Sequence, residues 1–181
     1  MKTILLNSAT VVTLAEAKAY FRILDDDQND TIQLCVDTSI AIAEQRTNRV
    51  LCASDFSLTV QNFETVILEK TPFVSITSVK YENDIGDMIA YTDYEYLSDE
   101  LYDVCTLEFG AVPLDYQDGG DVIVVYEAGY DPTPAPIQSF VLAHAATMFE
   151  NREMLVVGAS VTKTSKYFYD ALLDSYRIIP V

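Results

Sequence analysis

The chain has few of the residues that make an active site recognisable. Its single histidine, His144, stands on an apolar helical stripe without an HExxH context, so metalloprotease chemistry has no ligand set. Three cysteines, Cys35, Cys52 and Cys105, form no CxxC pair and leave one over, which argues against a disulfide framework and a zinc site and for reduced, buried thiols. No glycine-rich phosphate loop occurs among its 6 glycines, and Gly158-Ala159-Ser160 lacks the second glycine of a nucleophile elbow. Asp25-x-Asp27-x-Asn29 opens like a calcium loop, but Asp30 occupies the glycine position and Val36 that of the bidentate glutamate. A solvated helix N-terminus is the better account. No catalytic, metal or cofactor site is assigned, and the chain reads as a non-enzyme.

Long apolar runs are missing too. Pro132 to Phe149, the longest uncharged stretch, contains three prolines, Gln138 and His144, a poor membrane span. Lys2 followed by Ile4-Leu5-Leu6 imitates the start of a signal peptide, but Asn7 and Ser8 interrupt it after three apolar residues. We expect an intracellular chain with a short N-terminal tail and no membrane partner. Bases are scarce, 11 Lys and Arg in 181 residues, and scattered. Useful nucleic-acid affinity needs roughly 6 to 10 phosphates neutralised, so DNA binding is not expected.

What is abundant is negative charge, 28 Asp and Glu giving a net charge of -17, and it is concentrated. From Asp55 to Asp131 there are 17 acids against Lys70 and Lys80, which is net -15, while the flanks are near neutral. Such a field acts through solubility, partner choice and repulsion of polyanions. Half of the residues are apolar, enough for a real core in one compact domain.

The local patterns give an order of elements. Thr13-Leu14-Ala15-Glu16 is a capping box opening a helix from about Leu14 to Ile23. After the acidic turn Asp25 to Asp30, a second helix reaches about Thr47, with Ile32, Cys35, Val36, Ile40, Ile42 and Ala43 spread over enough of its surface to be buried on two sides. From Phe56 the pattern turns to short runs rich in Val, Ile, Thr, Tyr and Phe: Phe56 to Asn62, Thr65 to Glu69, Ile76 to Glu82, Met88 to Tyr91, Tyr94 to Leu97, Val104 to Phe109 and Val122 to Tyr126. Helical spacing returns after Pro136 and again from about Ser165 to Tyr176. The fold class is therefore α+β: a helical framework of two N-terminal and two C-terminal helices with an antiparallel β insertion, divided at 1–54, 55–131 and 132–181.

These segments also carry a resemblance. Leu14 to Ile23 (LAEAKAYFRI), Ile32, Ala43, Glu44 and Thr47-Asn48-Arg49 resemble the opening of the tailed-phage head-to-tail connector family, the adaptor or head-completion proteins. The likeness continues through Pro72-Phe73-Val74-Ser75-Ile76, Val79, Tyr81, Tyr94-Glu95-Tyr96 and Val122 to Tyr130 (VIVVYEAGY). It closes with Pro136-Ile137, Leu142-Ala143-His144 and Phe149-Glu150-Asn151-Arg152-Glu153.

The resemblance implies a virion protein of the head-tail interface, assembled in the host cytoplasm as a homo-oligomeric ring, a dodecamer, below the portal protein. Such a ring extends the DNA channel and docks a stopper or tail-completion protein, and genomic DNA passes through without specific binding. An acidic wall suits that passage. We expect Asp84, Asp87, Asp93, Asp99 and Asp103 to face the channel or the tail, and Tyr176, Arg177, Ile178, Ile179 and Val181 to form a partner-docking segment, with packing against the subunit's own helices as its alternative. Subunits of net -17 repel, so the free protein is expected to be monomeric or weakly associated and to close its ring on the portal or at high salt. The rival reading is an acidic DNA mimic, or another interaction module, that inhibits a DNA-binding enzyme. A hydrolase with an unmarked carboxylate site is the weaker rival.

Overall fold

The computed structural model describes residues 1–99, 104–151 and 171–178. The fold is α+β, with antiparallel sheets between the N-terminal and C-terminal helices. It divides into two units, each made of two stretches of chain: Met1–Ala9 with Cys52–Asp131, and Thr10–Leu51 with Pro132–Val181.

The first unit holds the eight strands found among the described residues. They are β1 (Lys2–Ser8), β2 (Ser54–Val60), β3 (Val66–Leu68), β4 (Phe73–Glu82), β5 (Met88–Ala90), β6 (Tyr94–Asp99), β7 (Val104–Phe109) and β8 (Val122–Ala128). A five-stranded antiparallel sheet runs β1-β2-β8-β4-β5, and a three-stranded sheet runs β3-β7-β6. The alternation read from the sequence becomes burial on every second residue. Phe56, Leu58 and Val60 of β2, and Val122, Val124, Tyr126 and Ala128 of β8, are buried. Leu68, Cys105 and Leu107 of the smaller sheet are fully buried as well. β8 leaves the sheet at Gly129, whose φ of 115° and backbone approach to Cys52 have no room for a Cβ.

Residues 2–8 correct an expectation. They form the edge strand β1, paired antiparallel with β2 from Lys2↔Thr59 to Ser8↔Ser54, instead of a short tail. The run Ile4-Leu5-Leu6 hid the strand because it lacks the period-2 alternation by which a strand is recognised. β4 likewise begins at Phe73, before the expected Ile76, because Ser75, Thr77 and Ser78 dilute its apolar pattern.

The second unit contains α1 (Leu14–Phe21), α2 (Asn29–Thr47) and α3 (Ala135–Glu150). The capping box forms: Thr13 Oγ1 accepts from the Glu16 amide at 3.2 Å, and Glu16 Oε2 accepts from the Thr13 amide at 2.8 Å. That amide bond, and then the Thr13 hydroxyl donating to Glu16 Oε2 at 2.7 Å, hold the Glu16 carboxyl below its ordinary value. Arg22 caps α1 in the left-handed conformation, φ 60°, so the helix ends at Phe21, two residues before the expected end at Ile23. α2 packs against both α1 and α3, as its broad apolar surface requires. Ile32, Cys35, Val36 and Ala43 of α2 and Ile137, Phe140, Val141 and Ala145 of α3 are all buried, and Phe21 of α1 lies 5.5 Å from Phe149 of α3. Residues 171–174 are helical within the stretch expected for the last helix. Its first half lies outside the described residues.

Candidate functional site

The acidic residues are organised by an aromatic frame in the β unit. The ring of Phe63 lies 4.9 to 6.1 Å from the rings of Tyr116, Tyr91, Phe109 and Tyr81. Tyr116 Oη lies 2.9 Å from the Gln61 carbonyl and 2.8 Å from that of Gly120, while Tyr81 donates its hydroxyl to Asp115 at 2.8 Å. These bonds pin the loop between β7 and β8 onto the β4–β5 hairpin. Backbone bonds complete the attachment, from the amides of Asp84 to Asp115, Gln117 to Glu82 and Glu82 to Asp121.

Two acidic stretches far apart in sequence are thereby joined into one patch. Glu82, Asp84 and Asp87 come together with Asp115, Asp118 and Asp121, all exposed except the half-buried Glu82 and Asp121. The patch leaves a mark on its tyrosines. Burial, then the charges of Asp118, Asp121 and Glu82, push the Tyr116 hydroxyl above its ordinary pKa, and the bond to Asp115 does the same for Tyr81. Among the described residues no group of three or more His, Cys, Asp or Glu converges closely enough to hold a metal ion. The carboxylates are spread over a surface and act as a field.

Of the acids singled out from the sequence, Asp84 and Asp87 belong to this patch. Asp93 is elsewhere and supports the backbone, its carboxylate accepting from the Ala111 amide at 2.9 Å. Asp99 ends β6, exposed, and Asp103 lies outside the described residues. Asp115, Asp118 and Asp121 were missed, since only the folded loop places them beside the hairpin. The signal that could have found them is Tyr116 within an Asp-rich, Gly-containing loop, an aromatic anchor in an otherwise polar turn.

The expected docking segment starts from a fixed point in the helical unit. The Tyr176 carbonyl accepts from Arg49 Nε at 2.6 Å, the Ile178 amide donates to the Thr47 carbonyl at 2.9 Å, and Asn48 Nδ2 donates to the Ile178 carbonyl at 3.0 Å. Tyr176 and Ile178 are thus half-buried at the C-terminus of α2, and Arg177 is exposed. Ile179 and Val181 lie outside the described residues.

His144 has acquired a partner that no motif announced. Its Nδ1 lies 2.9 Å from Ser39 Oγ, and its ring stacks on Phe140 with centroids 5.5 Å apart. The pair has the spacing of a serine-histidine dyad but not the access: Ser39 is fully buried and donates its hydroxyl to the Cys35 carbonyl at 2.7 Å. With that proton committed, His144 Nδ1–H is the donor to Ser39. Burial, and then the charge of Arg46, hold the His144 pKa below its ordinary value. The folded chain therefore binds fewer protons at this site than the unfolded chain, and stability falls as pH drops from the unfolded value near 6.5 towards the lower folded one. His144→Gln should flatten that part of the curve, measured as the urea midpoint between pH 7.5 and 5.5 against the parent.

Cys35, Cys52 and Cys105 are buried thiols outside any disulfide, and burial pushes the Cys105 thiol up to about 11, an inert form. A surface recess of about 650 Å³ is lined by Met1, Val60, Gln61, Asn62, Glu64, Thr65, Val66, Ile67 and Glu69.

The chain matches no protein-family model and no curated protein. Solved structures do match it along its length. A chain in the neck of an empty gene transfer agent (GTA) particle computed with C6 symmetry is 18% identical, with TM-score 0.75, covering 100% of this chain and 97% of that one. A chain in the virion of a native GTA particle is 20% identical, with TM-score 0.73 and the same coverage. A third, in the neck of a native GTA particle computed with C12 symmetry, is 21% identical, with TM-score 0.67, covering 98% and 97%. At these identities the likeness is one of fold.

Proposed function

We propose that the chain is a structural head-to-tail connector, an adaptor that forms a ring below the portal of a phage-like particle, extends the DNA channel and provides the docking surface for a stopper or tail protein. The observation that carries this reading is the end-to-end likeness, TM-score 0.75 over 100% of this chain and 97% of the other, to a chain in a GTA neck. Both partners of that comparison use their whole length, so the helical framework and the β unit are matched together. The cyclic symmetries of the GTA neck structures, C6 and C12, support a homo-oligomeric ring here, with twelve copies as the proposed number.

The charge supports the same reading. A channel wall must let DNA slide without holding it, and a wall of carboxylates gives phosphates no cation on which to release counterions. The patch built from Glu82, Asp84, Asp87, Asp115, Asp118 and Asp121 is our candidate for that wall, or for the face that receives a basic tail protein. The segment from Tyr176 to Val181 is proposed to dock the portal or tail, since its first residues are held at the end of α2 and present Arg177 outward. No enzymatic step is proposed.

The test is a tagged pull-down from particle-producing cells, with mass spectrometry of the bound proteins and electron microscopy of the complex. Portal and tail proteins flanking a ring of this chain are the expected result. A small stoichiometric complex with a DNA-processing enzyme would overturn it in favour of an acidic inhibitor, and the likeness to neck proteins would then speak for the fold alone.

A further inference from the structure

Within the β unit, where 17 acids crowd 77 consecutive positions, two strand edges carry no charged residue of their own along their open backbone. One is β1: beyond Lys2 its residues are Thr3-Ile4-Leu5-Leu6-Asn7-Ser8, and Ile4, Leu5 and Leu6 are 44%, 55% and 56% exposed. It pairs with β2 on one side and, among the described residues, with no strand on the other. The second is the outer side of β4, which β5 covers only at Lys80–Glu82, the Val79 carbonyl being met by the Tyr91 amide. Phe73-Val74-Ser75-Ile76-Thr77-Ser78 is left with no described strand paired on that side, and Val74 is 48% exposed. Soluble proteins blunt such edges with lysine, proline, inward charges or bulges. Within the open stretch these two lack the first three, and their irregularities are confined to register shifts between Leu5 and Asn7 of β1, and between Phe73 and Ser75 and between Ile76 and Ser78 of β4.

We propose that β1 of one copy adds to the open Phe73–Ser78 edge of β4 in the next copy, so that the five-stranded sheet continues from subunit to subunit around the ring. This rests on the ring reading and names its interface. The directions of the strands favour it. β1, β2, β8 and β4 are successively antiparallel, so β1 and β4 run in opposite senses within one sheet. One step around a ring of many members turns a subunit through a fraction of a right angle, and the neighbour's β1 arrives antiparallel to β4. Antiparallel addition forms the more stable ladder. The lengths agree as well, since β1 has 7 residues and the open stretch runs over Phe73–Ser78.

The contact is heterologous: the donor edge and the acceptor edge are different surfaces of the same chain. Such an interface closes into a ring if the rotation permits and otherwise grows as an open filament. Main-chain hydrogen bonds would supply attraction and the exposed Ile4, Leu5, Leu6 and Val74 side chains the register, as in strand addition generally. Charge favours these edges over others. The residues that would pair carry no acid, and the nearest carboxylates in the sheet, Asp55 beside Asn7 and Glu127 beside Ser75, lie one strand back from each edge, where screening over about 8 Å weakens their repulsion.

The experiment uses the full chain with Leu5→Cys and Val74→Cys, both exposed positions, treated with a short bis-maleimide under ring-forming conditions, high salt or added portal. The three native thiols are buried and do not compete. A covalent ladder of many rungs from the double variant, with each single variant staying monomeric, is the expected result. Slowed amide exchange at residues 3–7 and 73–78 on ring formation should accompany it, and Leu5→Lys or Val74→Lys should abolish the rings. Covalent dimers from Leu5→Cys alone would overturn the proposal in favour of a two-fold β1–β1 contact. Rings seen by electron microscopy that neither cross-link nor respond to the lysine variants would overturn this interface and leave the ring reading intact. Absence of any ring with or without portal would overturn both.

Discussion

Particles carrying Asp84→Lys, Asp87→Lys and Asp118→Lys together are expected to assemble and then to release DNA slowly or incompletely. All three side chains are exposed, and Asp84 and Asp87 are tied into the hairpin through their backbone amides, so the fold should survive the change. Asp93 and Asp115 are deliberately spared, because Asp93 holds the Ala111 amide and Asp115 holds Tyr81. Each substitution moves the local charge by two units. In the free subunit the effect should be small, since the remaining carboxylates still outnumber the new lysines and binding needs on the order of 6 to 10 phosphates. In a ring the same three lysines recur in every copy and together exceed that number several-fold. The released fraction, followed by dye accessibility of the DNA, should therefore fall, and the defect should shrink as salt is raised. Asp→Asn at the same positions should give a weaker defect. Wild-type release kinetics in the lysine particles would remove this patch from the channel.

The largest expected loss of stability comes from Phe140→Ala. Phe140 is fully buried in the helical unit, with the His144 ring stacked on one side and the Arg46 guanidinium 5.9 Å from its centroid. Truncation removes the buried ring and leaves a cavity, a combination that costs about 3 to 5 kcal/mol. Against a total stability on the order of 5 to 15 kcal/mol, that is a large fraction. The urea midpoint, read from helical circular dichroism, should fall steeply with little change in slope. Leu24→Ala is the control, because Leu24 is 98% exposed and its loss should stay within about 0.5 kcal/mol. A midpoint unchanged in Phe140→Ala would mean that the packing of α2 on α3 does not limit unfolding.

What could be read before folding was local. The Thr13–Glu16 box announced α1 because capping is decided within four residues, and the strand at Val104–Phe109 was found to the residue because its alternation is complete. The parts that escaped are those made by distant pairing. Nothing near Asp115 says that its backbone meets Asp84, and nothing near Ser39 says that a histidine 105 residues away will face it. β1 escaped for a different reason: an edge strand that leaves its apolar residues in solvent has no buried face to impose a pattern. The resemblance carried by scattered short segments met a coarser counterpart, a full-length likeness of fold to chains in GTA necks, while the surface residues proposed for partners had only their charge and exposure to recommend them.

The division of each unit into two stretches of chain has a consequence for synthesis. β1 leaves the ribosome first but can pair only when β2 has followed, and β2 is itself a neighbour of β8, which ends at Ala128. α1 and α2 emerge early and wait for α3, which begins at Ala135, to cover their apolar faces. The β unit cannot finish before Asp131 is made, nor the helical unit before the C-terminal helices follow, so the nascent protein should be slow to acquire protease resistance and dependent on chaperones meanwhile. Late folding would also delay the moment at which a finished β1 edge exists to be captured by another copy.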